Sequence, residues 1–273
     1  MPPKAGNFRT DPPLQHRHRR EKRRHLKTEK RAALISGSGQ GIGKAIALTF
    51  AREGASIAVN DIPFNEAKAL EKVPELRLLG VAADLFLADV SKEEEVDAIV
   101  AAVQARFSHL DILVNNAGIN RDGLLHKANL DHWEAVMAVN LTGPFNFTKA
   151  VLPGMRAQGY GRIVNLSSLT ARIGVFGTGY HATSKAGLIG LTKVTAVESV
   201  TKGITCNALA PGNVNTDMMN KYPAEQTAAL IAKIPKGRFA EPTEVADAAL
   251  FLASDSSSYI TGAVLDINGG SFI

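Results

Sequence analysis

The sequence predicts a single α/β domain built on a doubly wound parallel sheet of about seven strands, with helices on both faces. Short apolar runs alternate with helix-length segments from residue 31 to the C-terminus, with no intervening linker or repeat. The first run, Ala32–Ser36, ends at a glycine cluster that leads into a helical pattern. The 273 residues are 45% hydrophobic and 21% charged, which is enough to bury a large core.

The other predicted strands are Ser56–Asn60, Val81–Ala88, Ile112–Asn115, Arg162–Leu166, Ile204–Ala210 and Ala263–Asn268. Helices are predicted between them, near 41–53, 64–72, 92–107, 131–157, 181–200, 224–233 and 243–253. Ligands of such sheets bind outside the carboxyl ends of the strands. We therefore expect functional groups where these runs stop.

Composition excludes several classes of protein. No apolar run approaches the roughly 18 residues that span a bilayer, so we expect a soluble, cytoplasmic protein. Cys206 is the only cysteine, which excludes an intrachain disulfide framework and indicates a packed thiol in a reducing compartment. No metal site is predicted.

The net charge of +5 comes from the N-terminus. Residues 1–30 hold ten of the 31 Lys and Arg residues and only three of the 26 acidic ones. We interpret 1–30 as a disordered basic extension and 31–273 as the folded domain. The extension fits three roles: an inert tail or mis-assigned start, a polyanion-binding patch, or a targeting segment.

The stretch after the first strand is Ser36-Gly-Ser-Gly-Gln-Gly-Ile-Gly43. Glycines at 37, 41 and 43 allow a tight turn and a close backbone approach to a pyrophosphate. A helix that begins there directs N–H groups and its positive dipole end at the anion. A nucleotide-phosphate site and an ordinary strand-to-helix turn both fit this pattern.

An acidic residue, Asp61, ends the second strand about twenty residues after the glycine turn. Its carboxylate could accept hydrogen bonds from the adenosine ribose hydroxyls, and its charge would repel a 2′-phosphate. Gln40 supplies no cation to hold such a phosphate. Both residues favour NAD over NADP, although Asp61 also fits as a cap for the turn before Pro63.

Polar side chains end three further strands. Asp89 could meet an adenine amino group or cap the next helix. Asn115 and Asn116 can tie neighbouring strand ends together. Ser168 could hold a substrate carbonyl oxygen or simply end its strand.

A helix predicted near residue 181 carries the remaining candidates. His181 and Lys185 are four residues apart and share a helix face. Tyr180 points about 140° away from Lys185.

These motifs together resemble the short-chain dehydrogenase/reductase family over residues 31 to about 273. The matching pieces, in family order, are Ser36-Gly-x-x-x-Gly-Ile-Gly43, Asn115-Asn-Ala-Gly118, Asn140, Ser168, Lys185 and Pro211-Gly212. The resemblance implies a Rossmann-type sheet, a nicotinamide cofactor, hydride transfer at a secondary alcohol or ketone, and a homotetramer. It assigns the nicotinamide ribose to Lys185, the substrate oxygen to Ser168 and a water that links Lys185 to solvent to Asn140.

The family's catalytic tyrosine lies four residues before its lysine, and His181 occupies that position here. Three outcomes follow: His181 as a slower acid/base, a helix shift that brings Tyr180 inward, or a cofactor-binding body with little turnover. Lys185 and an oxidised nicotinamide would both lower the pKa of the imidazole.

The expected catalytic residues are Asn140, Ser168, His181 and Lys185. The expected cofactor contacts are Ser36, Gly37, Gln40, Gly41, Ile42, Gly43, Asp61, Asp89, Val90, Asn116, Ala117, Gly118, Lys185, Pro211, Gly212, Val214 and Thr216. Residues 215–237, with Met218, Met219, Tyr222 and Pro223, are expected to form a mobile lid.

The leading hypothesis is an NAD-dependent oxidoreductase acting on a 3-oxoacyl compound, a hydroxyacid or a small secondary alcohol. The alternative is a cofactor-binding structural or regulatory protein with impaired catalysis. Nucleic acid is not an expected partner, apart from contacts of the basic tail.

Overall fold

All seven strands of the central sheet run parallel, in the order β3-β2-β1-β4-β5-β6-β7. The computed structural model describes residues 27–121, 123–217, 219 and 223–273. The strands are β1 (Ala32–Ser36), β2 (Ser56–Asp61), β3 (Ala83–Leu87), β4 (Ile112–Asn115), β5 (Gly161–Leu166), β6 (Ile204–Pro211) and β7 (Val264–Ile267). Strand order reverses at β1, between β2 and β4, so the carboxyl ends of β1 and β4 border the crevice where such folds bind ligands.

The helices cover both faces of the sheet. Their bounds are α1 (Gly41–Arg52), α2 (Glu66–Leu70), α3 (Lys72–Arg77), α4 (Glu93–Phe107), α5 (Leu130–Met137), α6 (Gly143–Gln158), α7 (Gly179–Ser199), α8 (Ala224–Ile231) and α9 (Pro242–Ala253). A π-helical turn, Ala138–Thr142, joins α5 to α6. The single helix predicted over 131–157 is therefore interrupted at Asn140.

Two apolar clusters form the core, one on each face. One packs α1 and α9 against the sheet, and the other packs α4 and α6 on the opposite face. Strands buried on both faces have continuous apolar sequences, and β1, β4, β5 and β6 are buried at every residue. The predicted fold class is confirmed, with strand ends shifted by at most two residues.

The N-terminal boundary differs from the prediction at residue 31. Residues 27–30 form a turn in which Thr28, 1% exposed, donates from Oγ1 to the carbonyl oxygens of Phe50 and Glu53. The packed body thus begins by residue 27. The rest of the predicted extension, 1–26, and the lid residues Met218 and Tyr222 lie outside the described residues.

Within the described ranges, no helix combines the length and hydrophobicity needed to cross a membrane.

Candidate active site and cofactor site

The glycine turn joins β1 to α1. Gly37 has φ +63° and Gly41 has φ +56°, backbone angles in the left-handed region that favours glycine. A Cβ on Gly43 would overlap the carbonyl oxygen of Gly37. Because α1 begins at Gly41, the unpaired N–H groups of its first turn face the loop, which suits an anion.

The end of β4 holds the glycine turn in place. The Asn116 side chain donates from Nδ2 to the carbonyl oxygens of Ser36 (2.9 Å) and Gly37 (3.0 Å). In return, Ser36 Oγ accepts from the backbone N–H groups of Asn116 and Ala117, each at 3.0 Å. The Ser36 hydroxyl therefore has a structural role, and its contact with a cofactor stays a prediction.

Asparagine side chains tie strand ends together, as predicted. Asn115 Nδ2 donates to Asn165 Oδ1 at 2.8 Å, which joins β4 to β5. Asn165 Nδ2 then donates to Thr192 Oγ1 at 2.9 Å, which joins β5 to α7.

Asp61 lies beside the glycine turn and is 6% exposed. Its Oδ2 accepts from the Gly39 N–H at 3.0 Å, and its Oδ1 accepts from the Ile62 N–H and the Asn65 side chain. A Cβ on Gly39 would lie 2.7 Å from Oδ2. Sequence reasoning missed Gly39 and Asn65. Gly39 is the second of four glycines in the cluster, at a position to which the motif assigns no role, and that extra glycine was the available signal.

Asp89 shapes the turn after β3. Its Oδ1 accepts from the Ser91 N–H at 3.0 Å and the Ser91 hydroxyl at 2.7 Å, while Lys92 takes the N-cap position of α4. Of the two roles predicted for Asp89, the helix cap is replaced by a side-chain turn, and the contact with adenine stays a prediction. Its neighbour Val90 packs against Gly143.

Lys185 projects from α7 towards the ends of β4 and β5. It is 5% exposed, and its Nζ donates to the Leu166 carbonyl at 2.7 Å. A Cβ on Gly118 would lie 3.5 Å from this nitrogen. Burial lowers the pKa of Lys185 to about 8.

Asn140 lies in the π-helical turn, a feature often found at functional sites. Fully buried, it accepts at Oδ1 from the Ile119 N–H (2.8 Å) and donates from Nδ2 to the Ile119 carbonyl (2.9 Å). Nδ2 also lies 3.2 Å from Ser184 Oγ. These bonds attach the loop after β4 to α7, next to Lys185.

His181 lies in the first turn of α7, one helical turn before Lys185. Burial, and next the charge of Lys185, lower the pKa of the imidazole to about 4, although a hydrogen bond with the Ile119 backbone acts in the opposite direction. Its Nδ1 is buried without a partner among the described residues. The ring is therefore neutral at pH 7 and has a nitrogen able to accept a proton.

Tyr180 is directed away from this site. It is 3% exposed and packs edge-to-face on Trp133, with ring centroids 6.1 Å apart. Its hydroxyl accepts from the Asn129 N–H at 2.6 Å, beside the start of α5. This geometry opposes the helix shift that would bring Tyr180 to Lys185.

Ser168 follows β5, and its Oγ accepts from the Thr170 N–H (3.2 Å) and lies 3.0 Å from Thr170 Oγ1. The segment after β6 crosses the same edge. Gly212 donates to the Ile267 carbonyl, Val214 bridges to Ala240, and Thr216 lies close to Gly41. Thr216 thus lies beside the glycine turn, whereas Gly212 and Val214 contact Ile267 and Ala240.

Cys206 is buried within β6, and burial raises the pKa of its thiol to about 12. This agrees with the prediction of a packed thiol rather than a nucleophile.

An anion cradle at a helix N-terminus, a carboxylate at the end of β2 and a buried lysine at the end of β5 are typical of a dinucleotide-binding oxidoreductase. Gly43 packs directly against the Gly37 carbonyl, and this close packing holds the glycine turn at the N-terminus of α1, where its N–H groups fit the pyrophosphate of a nicotinamide dinucleotide.

Comparisons with known proteins agree with this class. The model of the family described as "Enoyl-(Acyl carrier protein) reductase" matches residues 37–271. The chain is 42% identical over 245 residues to the 3-oxoacyl-(acyl-carrier-protein) reductase FabG of Thermotoga maritima, covering 90% of this chain and 99% of that one. It is 39% identical over 248 residues to the Vibrio cholerae protein of the same name, covering 91% and 100%.

A solved structure is similar as well. It is a crystal structure of an Agrobacterium tumefaciens protein proposed to be a gluconate dehydrogenase, with a TM-score of 0.87 and 32% identity, covering 90% of this chain and 98% of that one. The chain belongs to the short-chain dehydrogenase/reductase family, whose members are oxidoreductases that bind a nicotinamide cofactor.

Proposed function

We propose that the chain is an NAD-dependent oxidoreductase that transfers a hydride between nicotinamide and a secondary alcohol or ketone. The proposed choice of NAD rests on the surroundings of the Asp61 carboxylate. Its three hydrogen-bond partners among the described residues, Gly39, Ile62 and Asn65, are all neutral N–H donors, so its charge is not compensated by a cation. An uncompensated carboxylate beside the ribose repels a 2′-phosphate.

The geometry of the site supports the following roles for its residues. The glycine turn binds the pyrophosphate, and Lys185 binds the nicotinamide ribose. Ser168 holds the substrate oxygen, and Asn140 keeps the Ile119 loop attached to α7. The bound nicotinamide supplies the hydride acceptor or donor.

His181 moves the proton. A neutral imidazole accepts the proton of an alcohol during oxidation and returns it to a ketone during reduction. The buried Tyr180, bound to Asn129, does not compete for this role.

The substrate is proposed to be a 3-oxoacyl compound, a hydroxyacid or a small secondary alcohol. The names of the similar reductases and of the similar dehydrogenase structure support these classes. A cytoplasmic homotetramer is proposed with them, and exposed apolar side chains on α6 and α7 (Phe145, Val194 and Val197) suit contacts between copies.

The test of the cofactor is calorimetric titration of the full chain with NAD and NADP. We expect tighter binding of NAD, and a smaller preference in Asp61→Asn, which removes the charge but keeps the shape. Tighter binding of NADP by the native chain would refute the proposal.

The test of the substrate is turnover with a panel of 3-oxoacyl esters, hydroxyacids and secondary alcohols, with Ser168→Ala as control. Turnover of one class that Ser168→Ala abolishes supports the enzyme. NAD binding without turnover of any member supports the alternative, a cofactor-binding protein with impaired catalysis.

A further inference from the structure

The Asp61 carboxylate is nearly saturated by the chain's own hydrogen bonds. A carboxylate has about four lone-pair positions, two on each oxygen. Oδ1 uses both, because it accepts from the Ile62 N–H at 3.0 Å and from Asn65 Nδ2 at 2.8 Å. Oδ2 uses one of its two positions, because it accepts from the Gly39 N–H at 3.0 Å. One position, on Oδ2, remains for a ligand.

Asn65 is the only side chain among these three donors. It ends the short helical turn Pro63–Asn65 that follows β2, and its backbone N–H is bound to the Ile62 carbonyl. Because a carboxylate only accepts, the amide must present Nδ2 to Asp61. The Asn65 side chain is half-buried, whereas the carboxylate it contacts is 6% exposed.

Asn65 thus occupies the second acceptor position of Oδ1 and leaves the open position on Oδ2. Without Asn65, each carboxylate oxygen keeps one backbone donor, Ile62 for Oδ1 and Gly39 for Oδ2. No side chain then fixes the rotation of the carboxylate, and each oxygen has one open acceptor position. Gly39 keeps the approach to Oδ2 open, since a Cβ there would lie 2.7 Å from that oxygen.

We propose that Asn65 is a positioning residue for cofactor selection: it fixes Asp61 so that a single acceptor, Oδ2, meets the adenosine ribose. The inference rests on the proposed use of NAD. It adds that discrimination against a 2′-phosphate depends on the fixed carboxylate and not on its charge alone.

The test is a double-mutant cycle with NAD and NADP as ligands of the full chain, using Asn65→Ala, Asp61→Ala and the double variant. A hydrogen bond to a charged group is strong, so we expect Asn65→Ala to weaken NAD binding by about tenfold and to change NADP binding less. In the Asp61→Ala background, Asn65→Ala should have no further effect on NAD, because Asn65 acts through Asp61.

Asn65→Leu preserves side-chain volume and removes the N–H, and it should reproduce the effect of Asn65→Ala. Equal melting temperatures across the variants establish that the turn is intact. Equal NAD affinity in native and Asn65→Ala chains would overturn the inference, as would an equal loss in the Asp61→Ala background. A native chain that prefers NADP would instead overturn the proposed function, so the two failures are distinguishable.

Discussion

The pH dependence of the two reaction directions separates an imidazole from a phenol at position 181. The pKa of His181 is lowered from 6.5 to about 4 by burial and by Lys185. At pH 7, only about one imidazole in a thousand is then protonated, against roughly a quarter for an unperturbed histidine. Alcohol oxidation needs the neutral ring, and ketone reduction needs the protonated ring.

Oxidation should therefore be independent of pH between 5 and 7, whereas kcat/KM for reduction should fall tenfold per pH unit, about a hundredfold in all. This range stays below the pKa of Lys185, about 8, so the ammonium keeps its charge. The assay is kcat/KM for both directions at saturating cofactor.

His181→Tyr is the matched control. A phenol has an ordinary pKa near 10, and the neighbouring ammonium lowers it only part of the way, so it remains protonated in this range. For this variant, kcat/KM for reduction should be independent of pH between 5 and 7, and kcat/KM for oxidation should rise with pH. A flat reduction profile in the native chain, or identical profiles in both chains, would refute the role of His181.

Two further predictions concern the scaffold. Tyr180→Phe keeps the packing on Trp133 and removes the acceptor for the Asn129 N–H, so we expect a loss of about 1 kcal/mol in the free energy of unfolding. Its pH profiles should match those of the native chain, and a changed profile would place Tyr180 in the proton transfer. Gly43→Ala should abolish NAD binding, because the new Cβ would overlap the Gly37 carbonyl. Its control, Gly190→Ala, adds a Cβ on α7 that meets no other described atom of this chain within 4 Å, so it should leave NAD binding unchanged. NAD binding by Gly43→Ala as tight as in this control would show that the cradle is misidentified.

Burial explains why the sheet could be predicted. A parallel strand covered on both faces has a continuous apolar sequence, and β4 (Ile112–Asn115) has the predicted bounds. The end of β2 was less clear, since Asp61 is polar yet pairs with Leu87 in the ladder. The π-helical turn at Asn140 has no such signal, because Ala138–Thr142 contains no glycine or proline.

Candidate residues of the site could be predicted from the elements that carry them. Contacts that form only when a turn folds back or when two helices pack could not. Asp61 follows from its position at the end of a predicted strand, and Lys185 follows from its helical spacing to His181 and from the family resemblance. The contact of Asn65 with Asp61 depends on a short turn folding back, and the bond between Tyr180 and Asn129 depends on the packing of α5 on α7. Neither contact leaves a periodic pattern in the sequence.

In the proposed reaction, His181 transfers the proton while the cofactor is bound. The most direct test is the single-turnover rate of NAD reduction by an alcohol substrate, compared between the native chain and His181→Gln. General base catalysis contributes about a hundredfold to ten-thousandfold, so the rate should fall by at least that lower factor while the Kd for NAD stays unchanged. Equal rates in the two chains, or no reduction of NAD by the native chain, would contradict the claim.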